Sequence, residues 1–382
     1  MNTRKLYYED CLLRSFCATV IGCQQRENGF AITLDATAFY PEGGGQACDI
    51  GTLDESNVLF VKEEDEAVVH LCDKPLEVGK TVTGTIDWTR RFDLMQQHTG
   101  EHIVSGIIHR LFGGHNTGFH VGADTVTVDF DCPIPADRIP EIETLANEAV
   151  YLNLPVKCTV PSEEELSKIP YRTKRPLPWP VRLVEVPGYD TCACCGVHTA
   201  YTGGIGIIKL LSCIKFHQGV RMEMVCGARA FQYLSKVYEQ NRQVSQAFSA
   251  KILETGAAAA RMNEALAQEK FRAAGLEKQL FDAIGKEFAG KGDVVYFDDT
   301  LQPASVRALA DAIAQHSHGT AAVFSGSDEK GYNLCLVNKT EDVRILGQEM
   351  AKALTGRGGG KDGFFQGSVN ATKAQIQAFF HQ

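Results

Sequence analysis

At 382 residues, with 44% apolar and 22% charged positions, the chain is longer than a single hydrophobic core can serve and too apolar to be disordered throughout. About two to four domains are expected. Its formal net charge of −9 argues against indiscriminate nucleic-acid binding, which needs Lys and Arg in excess over at least one face. No apolar run approaches the ~18 residues of a membrane span, and no apolar stretch comes after the early charges of Arg4 and Lys5, so neither a membrane protein nor a secretory leader is expected and the chain is placed in the cytoplasm. Thirteen cysteines without a secretory signal read as reduced thiols, most of them buried, and not as a disulfide framework.

In chain order, residues 1–90 carry short alternating stretches such as Phe30–Leu34 and Val82–Ile86, broken by Gly, Pro and Asn, which predicts a small β-barrel-like domain. From about residue 91 the period changes: Phe92, Met95, Thr99, His102, Ile103 and Ile107 recur at helical spacing up to a stop at Gly113-Gly114. Val126–Phe130 reads as a strand, Ile139–Leu152 as an amphipathic helix, and Val181–Val186 as a strand ending at Pro187, making residues 91–227 an α+β domain. The run Tyr171–Arg175 is the best short basic candidate for a nucleic-acid contact, with a solvated loop as the plainer reading.

Residues 228–289 are rich in Ala, Gln, Glu, Lys, Arg and Leu, and predict long helices with a break near Thr255-Gly256 or Gly275. Such an arm suggests a coiled coil or a dimerisation surface. Residues 290–382, with Val294–Phe297, Pro303–Ala314 and Ala321–Phe324, resemble a small α/β unit ending in a glycine-rich loop, Gly356–Gly363. The fold class expected is therefore a multidomain α+β chain.

On a helix, residues four apart lie on one side, so His98 and His102 present both imidazoles together, half of a tetrahedral zinc site. Cys194 and His198 supply a thiolate and an imidazole four apart in a turn that Gly196 permits. The mixed nitrogen and sulfur set suits zinc over harder metals. Two further readings stay open. Four protein ligands are also what a closed, folding-only zinc site would have. His98 to His102 additionally fits H-x-x-E-H, the inverted metallopeptidase pattern with Glu101 as general base, but that reading lacks a further carboxylate ligand and leaves Cys194 and His198 without a role. Glu101 is read here as a solvated helix residue.

At these residues the chain resembles the alanyl-tRNA editing family, the AlaX proteins related to the editing domain of alanyl-tRNA synthetase. Asp35–Gln46 with Asp49–Gly51 resembles the family's glycine-rich signature, His98–His102 its HxxxH, and Cys194–His198 its Cys-Gly-Gly-Thr-His. Thr202–Gly206, Gly219–Arg221 and Gly227 resemble the family's segment downstream of that cysteine motif, and Gly356–Lys361 with Gln366-Gly367 is similar to the signature of the DHHA1 domain, which implies the long form, AlaX-L. Cys195 and Val197 replace a usual glycine and threonine, Cys192 stands where a glutamate is common, and Phe119 is bulkier than usual; the ligand spacing survives these departures.

The resemblance implies one Zn2+ per chain on His98, His102, Cys194 and His198, an editing pocket beside Thr37, Gly44, Gly45 and Gln46, and tRNA contacts from Arg357 and Lys361. It implies a zinc-dependent aminoacyl-tRNA deacylase that hydrolyses mischarged tRNA(Ala), serine foremost and then glycine, working as a homodimer through the C-terminal region. ATP binding is a further association of the family. A zinc-stabilised tRNA-binding protein without turnover is the alternative.

Overall fold

Alternation sets the N-terminal sheet: in Thr81–Ile86 every second residue is buried, and Val82 and Ile86 enter the core with Ile32, Leu34, Leu53 and Val61. Six strands hydrogen-bond in the order Ser15–Arg26, Gly29–Leu34, Ala67–Cys72, Ser56–Glu64, Gly51–Leu53 and Thr81–Ile86, and the last pairs back onto the first. The computed structural model describes residues 3–65, 67–173 and 177–381 and divides into two compact units, Met1–Gln243 and Val244–Gln382. No helix among the described residues is long and apolar enough to cross a membrane.

The ring of strands holds a neutral histidine. His70 Nδ1 lies 3.1 Å from the Ile32 carbonyl, to which it donates, leaving Nε2 to accept from the Thr37 hydroxyl at 2.8 Å. Burial pushes its pKa down to about 4.

The helix Trp88–Phe112 is the spine of the first unit. Asp87 caps its start by accepting from the Arg90 N–H, and Gly113, left-handed at φ 67°, ends it. It is buried on nearly every side, so its polar residues must find partners inside. Gln97 binds both the N–H and the carbonyl of Cys226, and Arg91, fully buried, pairs with Asp49 while Asp49 accepts from the Tyr40 N–H. That ion pair ties the glycine-rich segment after Asp35 to the helix, and removing one partner would leave a buried charge at a cost of about 3–5 kcal/mol.

Against the helix packs an antiparallel sheet ordered Ile208–Phe216, Gly219–Cys226, Val126–Phe130 and Asn116–Val121, whose inward residues Val126, Val128, Met222 and Met224 join Ile103, Val104 and Ile107 in one core. The helix Ile139–Tyr151 adds Ile142, Ala146 and Ala149. A three-stranded sheet, Lys157–Thr159, Leu183–Val186 and Asp190–Ala193, delivers the chain to Cys194.

Helix Gly227–Ala247 begins in the first unit. The break in the arm falls at the short turn Ile252–Glu254, and the next helix, Thr255–Glu287, runs unbroken through Gly275. In the second unit Phe281, Ile284 and Phe288 pack with Val306, Leu309 and Ile313 of the helix Pro303–Ser317. Its sheet is ordered Gly292–Phe297, His318–Ser327, Gly331–Val337, Phe364–Val369 and Gly356–Lys361, with only the first pair parallel.

Two expectations are corrected. The glycine-rich loop at 356–363 is mostly an edge strand: Gly356–Lys361 pairs residue for residue with Phe364–Val369, because backbone ladder bonds decide the conformation where side chains offer nothing. Of the thirteen cysteines, Cys48, Cys72, Cys226 and Cys335 are fully enclosed and the others, Cys192 and Cys194 among them, keep part of their surface exposed, while none is joined in a disulfide.

Candidate metal centre

Four side chains from two distant segments meet inside the first unit. His98 and His102 stand one turn apart on the spine helix, and Cys194 and His198 flank the turn that comes after the strand Asp190–Ala193. One ligand atom from each lies within 4.8 Å of all the others. Cys194 Sγ is 3.4 Å from Nε2 of His98 and 3.5 Å from Nε2 of His198. A tetrahedron built on zinc's usual bond lengths to sulfur and nitrogen has an S–N edge of about 3.5 Å, so the donor set fits the ion.

The outer nitrogen of each imidazole is engaged, which leaves every Nε2 turned inward. His98 Nδ1 donates to Gln46 Oε1 at 2.7 Å, His102 Nδ1 to Asp190 Oδ2 at 3.1 Å, and His198 Nδ1 to the Thr99 hydroxyl at 3.3 Å. Thr99 is fixed as acceptor because its own proton goes to the Met95 carbonyl. Asp190 is in turn gripped by Arg172 through Nε at 2.6 Å and a terminal nitrogen at 2.9 Å. Such outer partners fix tautomer and ring orientation at metal sites.

Charge within the cluster is polarised. Burial raises the Cys194 thiol, but the rings of His98 and His102 outweigh it and hold the group well below its usual value. Burial likewise opposes charge on His102, yet the Cys194 thiolate and Asp190 hold its pKa well above the ordinary range. His198, buried and then repelled by His98, falls to about 3. Cys192 stays a thiol, pushed by burial up to about 11, and lies near His102 and Asp190 outside the set of four.

The turn carrying Cys194 is clamped from outside. Arg182 donates to the carbonyls of Cys194 and Gly196 at 2.8 and 2.9 Å, its guanidinium rests 4.5 Å above the Tyr8 ring, and the Tyr8 hydroxyl donates to the Cys195 carbonyl at 2.8 Å. Gly196 is required by close approach: a Cβ there would come within 2.2 Å of the His98 ring. Val197, the replacement for threonine, is buried with Tyr7, Tyr40 and Met95.

A cavity of about 240 Å³ opens on the cluster, with Gly44, His98, Glu101, His102, Asn116 and Phe119 in its wall. Of the residues anticipated from sequence, Gly44 lines it, Gln46 sits behind it holding His98, and Gly45 backs onto Phe119. Thr37 does not line the cavity; it is fully buried, with its hydroxyl shared between His70 and the Phe39 N–H. Arg357 and Lys361 are exposed on the edge strand of the second unit. Of the basic run 171–175, Lys174 and Arg175 lie outside the described residues.

Glu101 is no solvated residue. It is buried, and its Oε1 accepts from the Ser105 hydroxyl and the Asn116 amide, each at 2.5 Å. That contact orients Asn116, whose Oδ1 is buried with no hydrogen-bond partner among the described residues. Asp190 and Asn116 do not stand out in the sequence, and Arg172 does so only as part of the basic run Tyr171–Arg175, read there as a nucleic-acid contact or a solvated loop and not as a partner of this cluster.

Residues 13–90 match the family model for class II (A) tRNA synthetases, 181–223 the threonyl and alanyl tRNA synthetase second additional domain, and 289–382 the DHHA1 domain. The alanine–tRNA ligase of Ignicoccus hospitalis is 35% identical over 260 residues, covering 65% of this chain and 28% of the ligase. That of Thermofilum pendens is 33% identical over 403 residues, covering 97% of this chain and 43% of the ligase, so the chain spans less than half the length of either enzyme. The alanyl-tRNA editing protein Aarsd1 of Danio rerio is 26% identical over 401 residues and matches nearly end to end, 98% of this chain and 96% of that protein. With matches to the second additional domain and the DHHA1 domain beside a nearly end-to-end match to Aarsd1, the chain belongs to the alanyl-tRNA editing family in its long form, related to the editing domain of alanyl-tRNA synthetase.

Proposed function

We propose that this chain hydrolyses the ester joining a mischarged amino acid, serine foremost and then glycine, to the terminal ribose of tRNA(Ala), at a site holding one zinc ion on His98, His102, Cys194 and His198. The observation that carries the reading is the convergence of three inward Nε2 atoms and one thiolate on the floor of an open cavity, at tetrahedral spacing. When bound, zinc supplies Lewis-acid charge beside the scissile ester.

The chain's own residues do the rest. Gln46, Asp190 and Thr99 hold the three imidazoles in the ligating tautomer. Asn116 offers Oδ1 to the hydroxyl of a seryl group, and Glu101 fixes that orientation by taking the Asn116 amide protons. Alanine has no hydroxyl and would leave the buried oxygen unpaired, which is how a polar site rejects a smaller apolar substrate. Phe119, its ring 5.0 Å from that of His98, covers one side of the cavity and limits the size of the side chain admitted. Exposed Arg357 and Lys361 are assigned to the tRNA backbone, and the second unit to pairing of two copies.

The test is deacylation by the zinc-loaded chain of tRNA(Ala) charged in turn with serine, glycine and alanine. Serine is expected to be released fastest and alanine spared. Tight tRNA binding with unchanged ester lifetimes would favour the reading without turnover, with four protein ligands closing the site.

A further inference from the structure

A second cavity of about 580 Å³ abuts the metal cavity, and His115, Arg172 and Thr173 stand in the walls of both. Its remaining wall includes His109 and Arg110 from the end of the spine helix, Tyr189 from the turn after Leu183–Val186, and Tyr171. The turn is pressed onto the helix where Gly106 leaves room, since a Cβ at Gly106 would come within 2.3 Å of the Tyr189 carbonyl. Nothing in the ester chemistry uses this space.

We propose that this second cavity seats the 3′-terminal adenosine of the tRNA, with the base against Tyr189 and the neighbouring phosphate toward Arg110. The inference rests on the esterase reading. An aminoacyl ester held over the metal cluster has the ribose on its other side, so the nucleoside must occupy space continuous with the metal cavity, and the shared wall supplies that continuity. Aromatic and imidazole faces are what unpaired bases stack on, and a cavity of several hundred Å³ suits a ligand of this size.

Charge favours the same occupant. The Arg110 guanidinium donates to a carbonyl, Gly188 O at 3.0 Å, and lies 5.7 Å from the Tyr189 ring centre, so its charge is not spent on a carboxylate among the described residues. Asp190, the acid in the wall, is neutralised by Arg172 and His102. A chain of net charge −9 thus presents a locally cationic, aromatic slot beside its reaction site.

The experiment compares wild type with Tyr189→Ala, Tyr189→Phe and Arg110→Gln, all zinc-loaded and full length. Tyr189→Ala and Arg110→Gln should raise KM for Ser-tRNA(Ala) about tenfold or more with kcat within about twofold, since base stacking contributes about 1–3 kcal/mol. Tyr189→Phe should behave as wild type. The non-hydrolysable 3′-serylamino-3′-deoxyadenosine should inhibit wild type far better than serinamide, and Tyr189→Ala should erase that advantage while leaving inhibition by serinamide and zinc content unchanged. An unchanged KM in both variants, or equal inhibition of wild type by the two compounds, overturns the inference. If wild type deacylates nothing, the esterase reading fails instead, and binding of the trinucleotide CCA decides the cavity: saturable in wild type and lost in Tyr189→Ala supports it, and identical binding in both overturns it.

Discussion

Gln46 and His98, fifty-two residues apart, are joined by a 2.7 Å hydrogen bond from the imidazole Nδ1 to the amide oxygen. The contact makes a turn of the N-terminal glycine-rich segment part of the candidate metal centre, and it gives that segment a physical task beyond reversing the chain. Gln46→Ala should therefore weaken zinc binding about 10–100-fold, the usual effect of deleting an outer partner. Competition with a chromophoric chelator reads this directly, and Gln46→Glu, which keeps an acceptor, should restore most of it. Unaltered affinity in Gln46→Ala would mean that His98 needs no orienting partner.

The proposed reading puts the selectivity on Asn116. Its Oδ1 is buried without a hydrogen-bond partner among the described residues, so Asn116→Ala removes the acceptor that the proposal assigns to a seryl hydroxyl while sparing the four clustered side chains. Deacylation of Ser-tRNA(Ala) should fall about 10–100-fold in kcat/KM, in line with the loss of a buried hydrogen bond of about 1–3 kcal/mol. Gly-tRNA(Ala), which has no hydroxyl to offer, should change much less. An equal fall for both substrates would assign Asn116 to the framework.

His70 makes the first unit sensitive to acid. Its folded pKa of about 4 lies below the unfolded value of roughly 6.5, so the unfolded chain takes the proton first. The stabilisation is present in full above about pH 6.5 and is lost as the pH falls toward 4. Between pH 7 and pH 5 the loss comes to about 2 kcal/mol. Urea denaturation at the two pH values should register it, and His70→Gln, which cannot charge, should flatten the decline by that amount. An equally steep decline in the variant would place the acid sensitivity elsewhere.

Much of the centre was legible in the sequence because helical periodicity alone puts His98 and His102 on one side, and a short cysteine motif supplies the other half. The strands Phe30–Leu34, Val82–Ile86 and Val126–Phe130 were legible for the same reason, their alternation being a local property. What escaped depends on long-range contact. Glu101 looked solvated because most charged residues on a helix are, yet the middle of this helix is buried on nearly every side and Asn116, fifteen residues on, reaches back to it. Arg172 and Asp190 meet only because Pro170–Thr173 runs beside the strand Asp190–Ala193, and no local pattern encodes that. The strand Gly356–Lys361 read as a loop because glycine carries no β signal of its own; its partner Phe364–Val369 supplies it.

The central claim is that four side chains hold one ion, and X-ray absorption at the zinc edge on the metal-loaded full-length chain tests it most directly. One zinc per chain is predicted, with three nitrogen scatterers at about 2.0–2.1 Å and one sulfur at about 2.3 Å, the sulfur vanishing in Cys194→Ala. A shell of nitrogen and oxygen alone in the wild type, or a sulfur signal that survives Cys194→Ala, would contradict it.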